Sequence, residues 1–381
     1  MKVQIDRDIL LQGVTRTQGV IDRRGTMPIL GNFLLEAKDD QVNISATDLE
    51  VSFRGFYPAQ IQEEGKLTIP AVSFFNIIRE LPPGTIDLQD TDNANLIIQV
   101  CEARYQLMGL AAEQFPPLPT GADLEMVTCK SQLLREMIEK TSFSVSSDDL
   151  QYHLSGVYVE KIAENDIIKI RMVSTDGHRL SLIDRVVPGA DQFGFDDGII
   201  IPRKGVAEIQ RLLADGEECS IGLDRKNLTL QLDNKFLFIR LLEKKFPDYR
   251  RIIPANFGVQ FILPRREFFE ALKRLSQLST DRFKGVILKF NPDILEIQYV
   301  NPEVGEGRER LPLAVAPSQG ATEAPGELPL EIGFNARYLL EPLGVMSSER
   351  VVMDINQKDK PCRLQGENEP DYLCIVMPMS L

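Results

Sequence analysis

At 381 residues with 43% hydrophobic and 26% charged side chains, the chain has the make-up of a soluble globular protein of two or three domains. No apolar run reaches the length of a membrane span, and the opening MKVQIDRDILLQG is too polar for a signal peptide, so a cytoplasmic protein without a membrane partner is expected. Five scattered cysteines without a CxxC pair, and two histidines, argue for a reducing compartment and against metal or other cofactors. A net charge of −13 argues against a nucleic-acid partner unless basic residues are gathered along one wall.

The first helix is expected over 6–20, with Leu10, Leu11 and Val14 inward; Gly13 weakens it by roughly 1 kcal/mol relative to alanine, so packing must help. Strands follow at 33–36, 42–46 and 50–57. A second helix begins after Pro70 and packs through Phe74, Ile77, Ile78 and Leu81. Strands at 86–89, 95–100 and 105–110 lead to Phe115-Pro116-Pro117-Leu118-Pro119, a stiff linker.

A helix over 130–143, capped by Ser131, carries Leu134, Met137, Ile138 and Thr141 inward. Strands at 156–160 and 167–174 flank the cluster Thr175-Asp176-Gly177-His178-Arg179-Leu180 together with a strand that runs to Val186. The stretch from Ile199 to Glu218 ends a strand at Pro202 and opens a helix. There Val206, Ile209, Leu212 and Leu213 share one face, and Lys204 and Arg211 another. Strands at 219–222, 228–232 and 236–242 follow, and 246–254 stands where the earlier linker stood.

The next helix, over 264–278, turns Phe268, Leu272 and Leu275 inward and Arg266 and Lys273 outward. Strands at 285–290 and 294–299 precede 316–329, whose Pro, Gly, Ala and Ser read as a flexible surface loop. Asn335 is the expected N-cap of a last helix with Leu339, Leu340 and Leu343 inward, which Pro342 should kink or shorten. An apolar strand and tail occupy 373–381.

The strand–Pro/Asn–helix unit occurs three times, spaced by about 130 residues, which calls for repeated whole domains. The expected fold is therefore α+β, with three tandem similar domains at 1–120, 121–254 and 255–381. Each would pack two helices on antiparallel sheets.

Asp176 and His178, with Ser181 nearby, suggest a hydrolase as the alternative. A triad needs the acid on one imidazole nitrogen and the nucleophile on the other, which residues so close on one loop rarely achieve. Neither GxSxG nor a phosphate-binding GxxxxGK[ST] occurs, and a surface-shaping turn without enzymatic activity is the favoured reading. A β-rich scaffold with no nucleic-acid role is a third reading. Arg16, Arg79, Arg135, Lys204, Arg211, Arg266, Lys273 and Arg337 recur on corresponding helices, beyond what solvated faces require. Met377, Met379 and Leu381 around Pro378 suit an adaptable peptide groove.

Met27 to Asn32, Thr47 to Glu50, Thr175 to Leu180, Ile201 to Gly205, Phe246 to Arg251 and Val376 to Met379 carry a resemblance over essentially the full length. In order and at matching spacing, the chain resembles the bacterial sliding clamp family, the beta subunits of replicative DNA polymerase III. The resemblance implies a head-to-tail homodimeric ring of six similar domains, encircling duplex DNA as a processivity factor. Its partners would be the clamp loader and the polymerases and repair proteins that carry short peptide motifs.

Carried over, the family's peptide pocket would take Leu154, Thr175, Gly177, His178, Arg179, Leu180, Pro247, Arg251 and Ile252. Asn335, Tyr338, Ile375, Val376, Met377, Pro378, Met379 and Leu381 would complete it. DNA-facing candidates are Arg24, Arg79, Tyr152, Arg203 and Lys204. Val72-Ser73 stand where familiar members have a basic pair, Asp148 and His153 replace a glutamine and a tyrosine, and Ser380 replaces an arginine. Ring closure is expected where Tyr105 and Leu107, on an edge strand without a later partner, meet Leu275 and Leu278.

Overall fold

The computed structural model describes residues 1–23, 25–91, 93–119, 125–254, 258–280, 283–317 and 328–379, save the side chains of Asp149 and Pro317. Six α-helices lie among them: α1 (Arg7–Thr17), α2 (Ala71–Glu80), α3 (Ser131–Glu139), α4 (Arg203–Leu212), α5 (Arg265–Leu275) and α6 (Ala336–Val345). The strands form four sheets whose ladders run antiparallel, so helices on antiparallel sheets, the expected α+β class, is what the chain adopts.

Helix ends differ from the sequence reading for local reasons. Asp6 caps α1, its carboxylate accepting from the N–H groups of Asp8 and Ile9, and the helix stops at Thr17 rather than Val20. Ser131 is the first residue of α3 rather than its cap, and the helix ends at Glu139 instead of Phe143. Beyond it Thr141 turns its hydroxyl back onto the Met137 carbonyl at 2.8 Å, and a 3-10 turn covers Ser142–Ser144. Asn335 does cap α6, accepting from Arg337 N–H, and the helix runs past Pro342 to Val345. Most of the expected loop at 316–329 lies outside the described residues.

The chain divides into two compact units: Met1–Leu134 with Pro188–Asp196 and Lys204–Leu242, and Arg135–Val187 with Asp197–Arg203 and Glu243–Leu381. In the first unit an eight-stranded sheet runs in the order Val127–Lys130, Glu218–Leu223, Asn227–Leu232, Lys235–Arg240, Val51–Pro58, Gln41–Thr47, Asn32–Lys38 and Gly65–Pro70. Strands far apart in sequence are fused at its centre, where Lys235–Arg240 pairs with Val51–Pro58. A five-stranded sheet ends in the strand Ala103–Met108.

The second unit repeats the plan. Its nine-stranded sheet places Tyr372–Val376 between Arg179–Arg185 and Cys362–Gly366. Its four-stranded sheet has Gly305–Pro312 as one terminal strand. The strand Tyr372–Val376 is thus interior to its sheet, with Tyr372, Cys374, Ile375 and Val376 buried and Leu373 half-buried.

The cores lie between helices and sheets. In the first unit Phe33 and Phe74 meet edge to face at 5.2 Å, an arrangement worth roughly 0.5–1.5 kcal/mol beyond area burial. Gly13 is required there, because a Cβ would stand 2.7 Å from both Ile44 Cδ1 and Tyr57 Cε2. The helix accepts a poor helix former to come that close to the sheet.

Candidate functional site

The strands Ile167–Thr175 and Arg179–Arg185 are joined by a tight turn in the second unit. Gly177 takes φ +86°, which glycine adopts without strain. Thr175 accepts from Gly177 N–H at 3.1 Å and donates its hydroxyl to the Arg179 carbonyl at 2.6 Å. Asp176 Oδ1 accepts from the N–H groups of His178 and Arg179 at 3.0 and 3.1 Å. The residue types of Thr-Asp-Gly are therefore those the turn needs.

Arg179, only 6% exposed, is held on every side. Its Nε donates to Asp176 Oδ2 at 3.0 Å, and its other nitrogens reach the Glu341 carboxylate and the Phe143 carbonyl. The guanidinium also lies 4.5 Å from the Tyr338 ring centre and 5.5 Å from that of Phe143. Burial raises the Tyr338 hydroxyl above its ordinary pKa, so the ring presents a neutral phenol. The His178 ring stacks near Tyr338 at 6.5 Å.

The end of the chain closes on this turn. Arg179 lies opposite Val376 and Leu180 opposite Ile375, Met377 N–H donates to the His178 carbonyl at 2.9 Å, and Met379 N–H to the Gly333 carbonyl at 2.8 Å. Leu154, Thr175, Leu180, Ile375 and Val376 are buried. Met377 and Pro378 are half-buried, while Met379 is 42% exposed.

The segment carrying Pro247, Arg251 and Ile252 is tied down by a buried polar network. Arg171 grips Asp184 through two bonds of 2.7 and 2.6 Å and donates to the Tyr249 hydroxyl at 3.2 Å. Tyr249 donates in turn to Glu160, which Arg250 also binds. Burial, followed by the bond to Glu160, pushes the Tyr249 pKa up to about 12. Phe246 stacks on Tyr158 at 4.8 Å. Pro247 and Arg251 stay exposed, and Ile252 is half-buried.

Beside the turn lies a polar cleft of about 1190 Å³. Of the sequence-predicted residues, His178, Arg179, Asn335 and Tyr338 line it, and so does Arg203 from the DNA-facing set. Phe143, Glu341 and Cys362, the last opposite Val376, belong to these surroundings and were missed by sequence reasoning. Glu341 had a readable signal, since it follows Arg337 at i+4 and pairs with it at 2.9 Å. Phe143 takes part through its carbonyl and Cys362 through strand register, which no local pattern announces.

The hydrolase alternative fails on geometry. Asp176 serves two backbone N–H groups and Arg179, while Ser181 is buried, donates to the Lys140 carbonyl at 2.5 Å and touches Cys374 Sγ at 3.2 Å. The acid–imidazole–hydroxyl relay is not assembled by these three residues.

The other sequence-predicted positions lie in varied surroundings. Lys204, expected to face DNA, is tied to the Asp48 carboxylate and to the Val20 carbonyl at 2.7 Å within the first unit. Arg79 pairs with Glu80 at 3.0 Å and lies over Phe75. Tyr152 and Arg203 are exposed. Arg24 and Leu381 lie outside the described residues. Tyr105 and Leu107 sit on the terminal strand Ala103–Met108, Tyr105 exposed and Leu107 half-buried. Leu275, by contrast, is buried on the inner face of α5 beside Gly307, and Leu278 is half-buried next to it.

Three consecutive family models match the chain: DNA polymerase III beta subunit N-terminal domain over residues 1–119, central domain over 128–248 and C-terminal domain over 250–380. The beta sliding clamps of Pseudomonas putida and Escherichia coli are 33% and 30% identical to it, with the whole of each chain covered. A DnaN sliding clamp of Bartonella birtlesii, solved bound to griselimycin, superposes with a TM-score of 0.91 at 31% identity over the full length of both. The fold and turn thus mark a clamp-type repeat protein, and the chain belongs to the DNA polymerase III beta subunit family of beta sliding clamps.

Proposed function

We propose that the chain is a DNA sliding clamp: a processivity factor that closes as a head-to-tail homodimer around duplex DNA and tethers other proteins through a peptide site. The run of three family matches over nearly the whole length is the observation that carries this reading. It acts by holding partners on DNA rather than by catalysis, in the cytoplasm. No helix among the described residues is long and apolar enough to cross a membrane.

A ring that slides must touch phosphates without reading base edges. Arg203, exposed at the start of α4, suits that task. The peptide site is the surface around Thr175–Leu180, Pro247–Ile252, Asn335, Tyr338 and Ile375–Leu381. Its partners, the clamp loader, polymerases and repair proteins, would offer a short segment with a glutamine and two bulky apolar residues. Met377, Pro378 and Met379 supply apolar contact, and His178 a polar one. Each buried apolar anchor contributes roughly 1.5–3 kcal/mol, so one or two dominate a short peptide.

The test is topological. Protein loaded onto nicked circular DNA should stay bound and should slide off once the circle is cut; equal retention on both forms would refute the ring. Removing residues 377–381 should abolish binding of a labelled polymerase peptide in fluorescence anisotropy while sedimentation still reports a dimer. Unchanged affinity would refute the pocket.

A further inference from the structure

Cys129 and Cys219 come from positions 90 residues apart, and nothing in their spacing suggests a pair. The first unit sets them directly opposite each other, Cys129 on the terminal strand Val127–Lys130 and Cys219 on its neighbour Glu218–Leu223. Both thiols are free and buried, with their sulfurs 3.8 Å apart. Residues facing each other across antiparallel strands have Cα atoms about 4.5–5.5 Å apart, inside the span of about 4.4–6.8 Å that a disulfide bridges. We propose that Cys129 and Cys219 are a peroxide-responsive dithiol that closes into a cross-strand disulfide.

The hydrogen bonds assign the two roles. The Cys219 sulfur lies 3.7 Å from the Cys129 carbonyl oxygen and 3.8 Å from the Cys129 sulfur, whose S–H can donate to it. That donor favours the thiolate at Cys219 and lowers its pKa, while the same bond holds the Cys129 proton and raises its pKa. Cys219 is therefore the attacking sulfur and Cys129 the resolving one.

The Cys219 thiolate attacks one oxygen of hydrogen peroxide; an S–O bond forms, the O–O bond breaks, and the departing hydroxide takes up the proton that the thiol had released. The Cys129 sulfur then attacks the Cys219 sulfenic sulfur. The S–S bond forms, the S–O bond breaks, and the second water leaves with the Cys129 proton. Two thiols are oxidised by two electrons, and one peroxide is reduced to two waters.

Location supports the chemistry. Val127–Lys130 is the last strand of its sheet, so opening this edge exposes both sulfurs without unfolding the strands beyond it. The strand continues directly into α3, and the bond would lock it to the sheet. The pair also occupies a hydrogen-bonded position of the ladder, because Ser131 N–H donates to the Glu217 carbonyl two places along. The side chains are farther apart at such positions than at the alternate ones, so the bond should be readily reduced.

The full-length protein should be treated with hydrogen peroxide, digested without reductant and mapped by mass spectrometry. The expected result is one cross-linked peptide pair carrying Cys129 and Cys219, lighter by two hydrogens and restored by dithiothreitol. Cys129→Ser should abolish the link and instead leave a sulfenic acid on Cys219 that a dimedone probe captures. Should that variant fold poorly, dimedone added to the wild type together with peroxide should tag Cys219 in preference to Cys129. A map showing only modification of the exposed Cys101, or a tag on Cys129 alone, would overturn the proposal.

Discussion

In the turn at 47–51, Leu49 N–H donates to the Thr47 hydroxyl at 3.0 Å, and Glu50 and Val51 N–H both donate to Asp48 Oδ1. In the turn at 175–179, Gly177, His178 and Arg179 make the same three bonds to Thr175 and Asp176. Even the left-handed third position recurs, at φ +77° for Leu49 and +86° for Gly177. The side chains then part company. Asp48 spends its other oxygen on Lys204, a residue of α4, whereas Asp176 spends it on Arg179 within its own turn. Arg179 goes on to Glu341 and Phe143, so one turn secures a helix and the other assembles a site. A backbone motif fixes where side chains start, and the neighbours decide what they do.

The largest effect should come from Arg179→Ala, which removes a buried guanidinium from between the half-buried carboxylates of Asp176 and Glu341. A loss of roughly 3–5 kcal/mol is expected in urea titration, against about 1 kcal/mol or less for Lys204→Ala, whose partly exposed pair is better solvated. Equal losses would erase the contrast between the turns. Asp176→Ala and Asp48→Ala each remove an acceptor for two N–H groups and an ion pair, and each should cost about 1.5–3 kcal/mol. Damage confined to one of them would show that the turns are not equivalent.

Changes at the third position should be smaller and of opposite sign. Gly177→Ala should destabilise by about 1–2 kcal/mol, because a Cβ disfavours the left-handed region. Leu49→Gly should relieve that strain and leave the protein within about 1 kcal/mol of the parent, read from thermal melts at fixed protein concentration. The smallest change concerns DNA. Arg203→Gln should flatten the log–log salt dependence of DNA binding by roughly 0.9, and Lys204→Gln by much less, since Asp48 already neutralises Lys204. A larger shift for Lys204→Gln would mean that the pair opens on DNA.

Much of this was legible in the chain. Gly13 announced a helix in need of close packing, Asn335 a cap, and Thr-Asp-Gly a turn, since each is a local choice with a local cause. What could not be read was register across distance. That Val376 faces both Arg179 and Cys362, or that Lys204 reaches Asp48, depends on which strands become neighbours, and hydrophobic alternation does not encode partners. Leu275 is again a local case: its inward helical position marks it as core, and the structure buries it there.

The fused sheets have a consequence for synthesis. Val51–Pro58 leaves the ribosome early but must wait for Lys235–Arg240 before its open edge is covered. At about 5–20 residues per second, that delay is on the order of ten to forty seconds. Arg179–Arg185 faces a similar wait for Tyr372–Val376. Each nascent chain therefore carries a bare β-edge for most of its translation, a period in which neighbouring nascent chains on one message are the nearest wrong partners. A chaperone that shields that edge, or a slower spacing of ribosomes, should matter more to the yield of native protein than the stability of the finished fold.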